Sequence, residues 1–186
     1  ALEGAPLLVP VQPTKVIALW NNFKALGAKL GLAEPAEPLY LIKSPGACIG
    51  PGEVIRKPAG AAKVVFEGEL GIVIGRVCKE ADEGDALAAI FGYTCGNDVT
   101  AADVLNRDAS FTQWARAKGY DTFCPLGPCV ATGLDPAKLQ VRTILDGQVR
   151  PDYPVSDMRL SVAELVSRIS HDMTLFPGDV ILCGTS

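Results

Sequence analysis

Glu67 and Glu69 flank Gly68 in the run VVFEGELGIVIGR, Val64 to Arg76. Two carboxylates so close in an apolar stretch repel each other and lose hydration unless something positive sits between them. A hard divalent cation such as Mg²⁺ or Ca²⁺ takes carboxylate oxygens and is one answer. The other is a solvated face, where both charges simply meet water. The run itself reads as a strand of Val, Ile and Phe with no internal Pro and a stop at Gly75. Alternation along a strand puts Glu67 and Glu69 on one face and turns Phe66, Leu70, Ile72 and Ile74 into a core on the other.

The elements around this strand are those of one domain over residues 1–186, with 1–60 as an N-terminal lid segment. TKVIALWNN reads as a strand entering a polar turn, FKALGAKLGL as a short helix, and LYLIK as a short strand before the Gly- and Pro-rich SPGACIGPGEVI. DEGDALAAIF reads as a helix with Asp82 near its start and Ala86, Leu87 and Ile90 on one face. GYTCGNDVT is strand-like and ends in Asn97 and Asp98. Ala101 to Lys118 has a poor helical period and reads as an ordered loop or short helix. LQVRTILDGQVR is a hairpin signal around Asp146-Gly147, a pair suited to positive φ. SVAELVSRISHDM has a capping box of Ser161 and Glu164, with Val162, Leu165, Val166 and Ile169 at helical spacing. Strands outnumber helices, and the punctuation suits mixed β with peripheral helices, a curled, barrel-like α+β fold.

Composition narrows the function classes. A net charge of −4 with scattered Lys and Arg leaves no basic stripe and argues against a nucleic-acid partner. No apolar run approaches the ~20 residues of a membrane span. The opening ALEGAPLLVP lacks the basic region and apolar block of a secretory signal. Six cysteines, mostly in apolar segments and none in a CxxC pair, suit reduced core thiols in a cytoplasm better than disulfides or zinc. With one histidine, His171, a His-rich metal site is excluded.

Five blocks carry a resemblance: FEGELGIVIGR, GYTCGNDVTAADV, QWARAKGYDTFCPLGP, LDGQVR with SDM, and LFPGDVILCGTS. In this order and spacing, from about Lys15 to Ser186, the chain resembles the fumarylacetoacetate hydrolase family. Its character is nearest to the 2-hydroxyhepta-2,4-diene-1,7-dioate isomerase/5-oxopent-3-ene-1,2,5-tricarboxylate decarboxylase and acylpyruvase-like members. The resemblance implies a mixed β-roll and a divalent metal, Mg²⁺ or Mn²⁺ with Ca²⁺ as a further candidate, on Glu67, Glu69 and Asp98. It implies a catalytic role for Lys118, substrate contacts from Gln113 and Thr185, a supporting place behind them for Asp121, and a homodimer. The implied substrates are small 2-oxo acids and their enols, gripped by an ion acting as a Lewis acid.

The chain departs from the family at the lid, where a His and a Glu often activate water. Leu26 stands at the His position and Lys29 at the Glu position, and leucine cannot take a proton. That tilts the expectation toward isomerase or decarboxylase chemistry in aromatic-compound catabolism, ahead of C–C hydrolysis of acylpyruvate or fumarylacetoacetate type. A metal-binding, non-catalytic partner subunit is a third reading. Family members continue past Gly184-Thr185, so closing strands are expected beyond this C-terminus.

Overall fold

The computed structural model describes residues 6–186, so part of the opening stretch read above lies outside the described residues. Strands β1 (Val16–Trp20), β2 (Leu39–Lys43), β3 (Cys48–Ile49), β5 (Gly68–Ile74), β6 (Ile90–Asn97), β8 (Cys124–Ala131) and β11 (Val180–Leu182) form one seven-stranded sheet, ordered β2-β1-β11-β5-β6-β8-β3. The β1–β11 and β3–β8 neighbours run parallel and the others antiparallel. Two-strand ribbons are made by β9 (Gln140–Leu145) with β10 (Gln148–Pro154), and by β4 (Val64–Val65) with β7 (Thr100–Ala101). The N-terminal sixty residues therefore supply three strands of the main sheet, and α1 (Lys24–Lys29) is the part that stands over the site.

The sheet is covered on both faces, which is why VIALW and VIL are continuous apolar runs rather than alternating ones. One face, with Ile17, Leu70, Ile72, Ile74 and Ile181, packs against Leu165, Val166 and Ile169 of α5 (Val162–Asp172) and Ala86 and Ala89 of α2 (Glu83–Ala89). The opposite face gathers Val16, Ala18, Val73, Cys124, Leu126, Val180 and Leu182. A third cluster of Val99, Ala101, Val104, Ala117 and Phe123 lies under α3 (Ala102–Leu105) and α4 (Trp114–Lys118).

Local chemistry sets the element ends. Ser161 Oγ accepts from Glu164 N at 3.1 Å, but the Glu164 carboxylate turns to Arg168, so only half of the capping box is made. Asp82 caps α2 by accepting from Asp85 N. Leu87, expected on the inner face of that helix, is half exposed, and Ala86 and Ala89 are buried instead. Asp146 and Gly147 turn the β9–β10 hairpin with φ of 52° and 72°. All six cysteines are free; Cys95 and Cys129 are exposed, so the thiols are not uniformly a core feature.

The expected single strand over Val64 to Arg76 is two strands. The ladder breaks at Phe66 and Glu67, and Phe66 is half-buried outside the main core clusters. The break lets Glu67 N donate to Asn97 Oδ1 at 3.0 Å while Asp98 N donates to Glu67 O at 2.8 Å. That exchange aligns the two acidic segments. No helix among the described residues is long and apolar enough to cross a membrane.

Candidate metal centre

Three carboxylates converge where β5 begins and β6 ends. Glu67, Glu69 and Asp98 each offer an oxygen, and these oxygens lie within 4.8 Å of one another. The solvated-face reading fails for Glu69, which is 2% exposed beside Asp98 at 1%, while Glu67 is half-buried. Register explains the convergence: Gly68 stands opposite Asn97 in the β5–β6 ladder, so the residues beyond each come to one place.

Two lysines are built into the same cluster. Lys118, the last residue of α4, places Nζ 2.6 Å from Glu67 Oε2, 2.5 Å from Asp98 Oδ2 and 2.7 Å from Thr100 Oγ1. Ala117 beside it is fully buried in the third core cluster and fixes the helix against the site. Lys43, at the end of β2, places Nζ 2.5 Å from Asp98 Oδ1 and 3.3 Å from Val99 O. Lys43 was not expected here. A lysine ending the run LYLIK looks like a solvated strand end, and lysines are rarely buried without a partner. Its one signal was its place on a short strand of an otherwise apolar chain segment.

The electrostatics are uneven. Burial would lower the Lys118 ammonium, but the Asp98 and Glu67 charges outweigh it and hold the group above its ordinary value. Burial, reinforced by the neighbouring Asp98 and Glu67 charges, pushes the Glu69 carboxyl well above the usual carboxylate range. Glu69 accepts from Gly184 N at 2.7 Å and has no ion pair among the described residues. With all three carboxylates ionised, two ammoniums would leave one negative charge uncompensated at Glu69, the group whose ionised form a cation would stabilise. Clustered carboxylate oxygens with a deficit of positive charge are the donor set that Mg²⁺, Mn²⁺ or Ca²⁺ takes. The residues fit such an ion.

Thr185 lines the pocket over the cluster, with Oγ1 buried and unbonded among the described residues. The structure does not bring Gln113 there: its Oε1 accepts from Arg116 and its backbone N–H donates to Leu105 O. Asp121 is exposed on the turn before β8 and does not line this pocket. His171 sits in the last turn of α5, its ring nitrogen 2.9 Å from Ser167 O, again off the pocket wall. Leu26 does line the pocket, whereas Lys29 is exposed beyond it. The walls above the acids are Leu19, Trp20, Leu26, Leu41 and Trp114.

The chain is similar to known proteins over most of its length. The family description Fumarylacetoacetate (FAA) hydrolase C-terminal matches residues 15–186. The structure of 5-carboxymethyl-2-hydroxymuconate delta-isomerase from Mycobacterium smegmatis is similar at a TM-score of 0.88 and 47% identity, covering 97% of this chain and 70% of that one. Protein Rv2993c of Mycobacterium tuberculosis is 46% identical over 187 residues, 99% of this chain and 69% of the relative. The 2,4-didehydro-3-deoxy-L-rhamnonate hydrolase of a Sphingomonas species is 34% identical over 189 residues, 99% of this chain and 66% of the relative.

Proposed function

The chain belongs to the fumarylacetoacetate hydrolase family, and from that premise we propose that it is a divalent-metal-dependent enzyme acting on 2-oxo or 2-hydroxydienoic acids. The observation that carries the metal is Glu69, buried beside two other carboxylates with only a backbone N–H as its partner. An ion held by Glu67, Glu69 and Asp98 supplies Lewis-acid polarisation of the oxygens of a 2-oxo acid.

The protein's own groups supply the rest. Lys43 and Lys118 clamp Asp98 from either oxygen and hold it in one orientation. Lys118 also bridges to Glu67, so its ammonium is a fixed positive charge beside the place where enolate charge would develop. Thr185 offers a hydroxyl whose donor is not committed elsewhere among the described residues.

Isomerase or decarboxylase chemistry is favoured over hydrolysis because the pocket wall carries Leu26 where water activation would need a base. The similarity to the M. smegmatis 5-carboxymethyl-2-hydroxymuconate delta-isomerase supports that order, and the similarity to the Sphingomonas hydrolase supports the second reading. A homodimer, a cytoplasmic location and a place in aromatic-compound catabolism belong to the same proposal; six free thiols support a reducing compartment.

Near-ultraviolet absorbance with and without Mg²⁺ tests it, on an acylpyruvate, oxaloacetate and a 2-hydroxyhexadienedioate-type enol. Loss of the dienol band without acid release is expected. Rapid Mg²⁺-dependent cleavage of the acylpyruvate would shift the assignment to hydrolysis. No Mg²⁺-dependent change in any of the three would leave a non-catalytic partner subunit as the better reading.

A further inference from the structure

Outside the acidic cluster and its pocket, the fold sets two thiols side by side. Strands β3 and β8 run parallel, and Cys48 stands in register with Cys124. Registered partners on neighbouring strands are about 4.8 Å apart and turn their side chains to the same face. That separation falls inside the roughly 4.4–6.8 Å between Cα atoms that a disulfide spans. Both side chains pack into one core cluster, the one that also holds Ala47 and Leu126. β3 has two residues and pairs with β8 alone, at the edge of the sheet, so it can make the small shift that closing a bond requires.

The two thiols are unequal. Cys48 is half-buried, whereas Cys124 is 0% exposed. A hydrogen bond from Cys124 holds the Cys48 thiol below its ordinary value against the opposing effect of burial, and the Lys43 ammonium adds to the lowering. Cys48 in turn, together with burial, pushes the Cys124 thiol up. The accessible sulfur is thus biased toward thiolate, the nucleophilic form, and a protonated sulfur lies directly beside it. An accessible thiolate next to a second thiol is the layout of an attacking and a resolving cysteine. The exposed Cys95 differs: it stands opposite Gly127 in the β6–β8 ladder, not opposite another thiol.

We propose that Cys48 and Cys124 are a peroxide-oxidisable dithiol site, with Cys48 attacking and Cys124 resolving, that closes into a reversible disulfide between β3 and β8. The oxidant is hydrogen peroxide. The Cys48 thiolate attacks one peroxide oxygen, the O–O bond breaks, and a sulfenic acid forms while the other oxygen takes a proton and leaves as water. Cys124 Sγ then attacks the sulfenic sulfur; the S–O bond breaks, and the hydroxyl leaves with the Cys124 proton as a second water. Two thiols and one peroxide become one disulfide and two waters, a two-electron oxidation of sulfur matched by a two-electron reduction of the peroxide. A disulfide of this kind is transient in a reducing compartment, where thiols return it to the free pair.

The test uses Cys95→Ser with Cys129→Ser, both at exposed positions, which leaves Cys48, Cys78, Cys124 and Cys183. After stoichiometric hydrogen peroxide, free thiols are blocked under denaturing conditions and the digest is read by mass spectrometry. We expect a linked peptide joining Cys48 to Cys124, loss of both thiols together, and their return with dithiothreitol. Adding Cys124→Ala should strand Cys48 as a sulfenic acid, with dimedone labelling at least about tenfold above the parent. Peroxide treatment that leaves both thiols free, or that links either to another cysteine, would overturn the proposal. So would oxidation of Cys48 to sulfinic acid with Cys124 present, or equal dimedone labelling with and without Cys124.

Discussion

Lys43 Nζ lies 2.5 Å from Asp98 Oδ1, with the two side chains 0% and 2% exposed. Neither group has water to fall back on, so each depends on the other for its charge. Lys43→Met leaves Asp98 Oδ1 unpaired in the interior. Removing one partner of such a pair costs about 3–5 kcal/mol, and the low end applies because Lys118 still faces Asp98 Oδ2. Urea unfolding should show that loss in metal-free buffer, and Lys43→Met with Asp98→Asn should recover part of it. A midpoint unchanged in Lys43→Met would contradict the pairing.

Much of the acidic cluster was legible because its residue types are unusual where they stand. Two carboxylates in an apolar strand repel each other and lose hydration unless a cation or water compensates them. The hairpin at Asp146-Gly147 and helix α5 were legible for the same kind of reason: turn chemistry and periodicity are local. Lys43 was not, since its role comes from β2 pairing with β1 deep enough to carry a strand-end lysine past the surface. The break at Phe66 and Glu67 was hidden too. Strand propensity continues through it, and only the crossing hydrogen bonds to Asn97 and Asp98 end the ladder. Gln113 Oε1 accepts from Arg116, while its neighbours Trp114 and Lys118 line the pocket.

A second buried acid, Asp179, contributes to stability on the acid side. Burial alone would raise the Asp179 carboxyl, but Lys15, Thr14 and backbone N–H donors outweigh it and hold the group below the usual carboxylate range. Folding thus favours the ionised form. Its contribution is complete above the unfolded value of about 3.9 and is lost as pH falls through the lower folded value. Asp179→Asn should lower stability at pH 7 and flatten the decline on the acid side. An Asn variant with the same acid limb as wild type would rule this assignment out.

Gly68 keeps the two glutamates at their spacing because nothing larger fits between them and the β9–β10 hairpin. A Cβ there would lie 2.0 Å from Thr143 Oγ1 and 3.3 Å from Thr143 Cβ. Gly68→Ala should cost about 1–3 kcal/mol, the usual range for overpacking. Adding Thr143→Ala should restore most of it, the more so because the Thr143 hydroxyl is buried and unbonded among the described residues. Thermal unfolding of the single and double variants checks this; equal losses in both would show that the contact is not the cause.

The lid offers a gain-of-function test. Positions 26 and 29 are three apart on α1 and neighbours on its surface. Leu26→His with Lys29→Glu should put an oriented imidazole on the pocket wall. General-base help is commonly 10²–10⁴-fold, so cleavage of an acylpyruvate should rise at least about tenfold over wild type. No rise would mean that Leu26 is not what restrains hydrolysis.

The most direct measurement is calorimetric titration of Mn²⁺ and Mg²⁺ into the metal-free protein and into Glu69→Gln. One saturable site per chain is expected in the wild type, with affinity reduced at least about a hundredfold in the variant. Equal affinity in the two proteins, or no binding to wild type, would contradict the claim that Glu67, Glu69 and Asp98 hold a divalent ion.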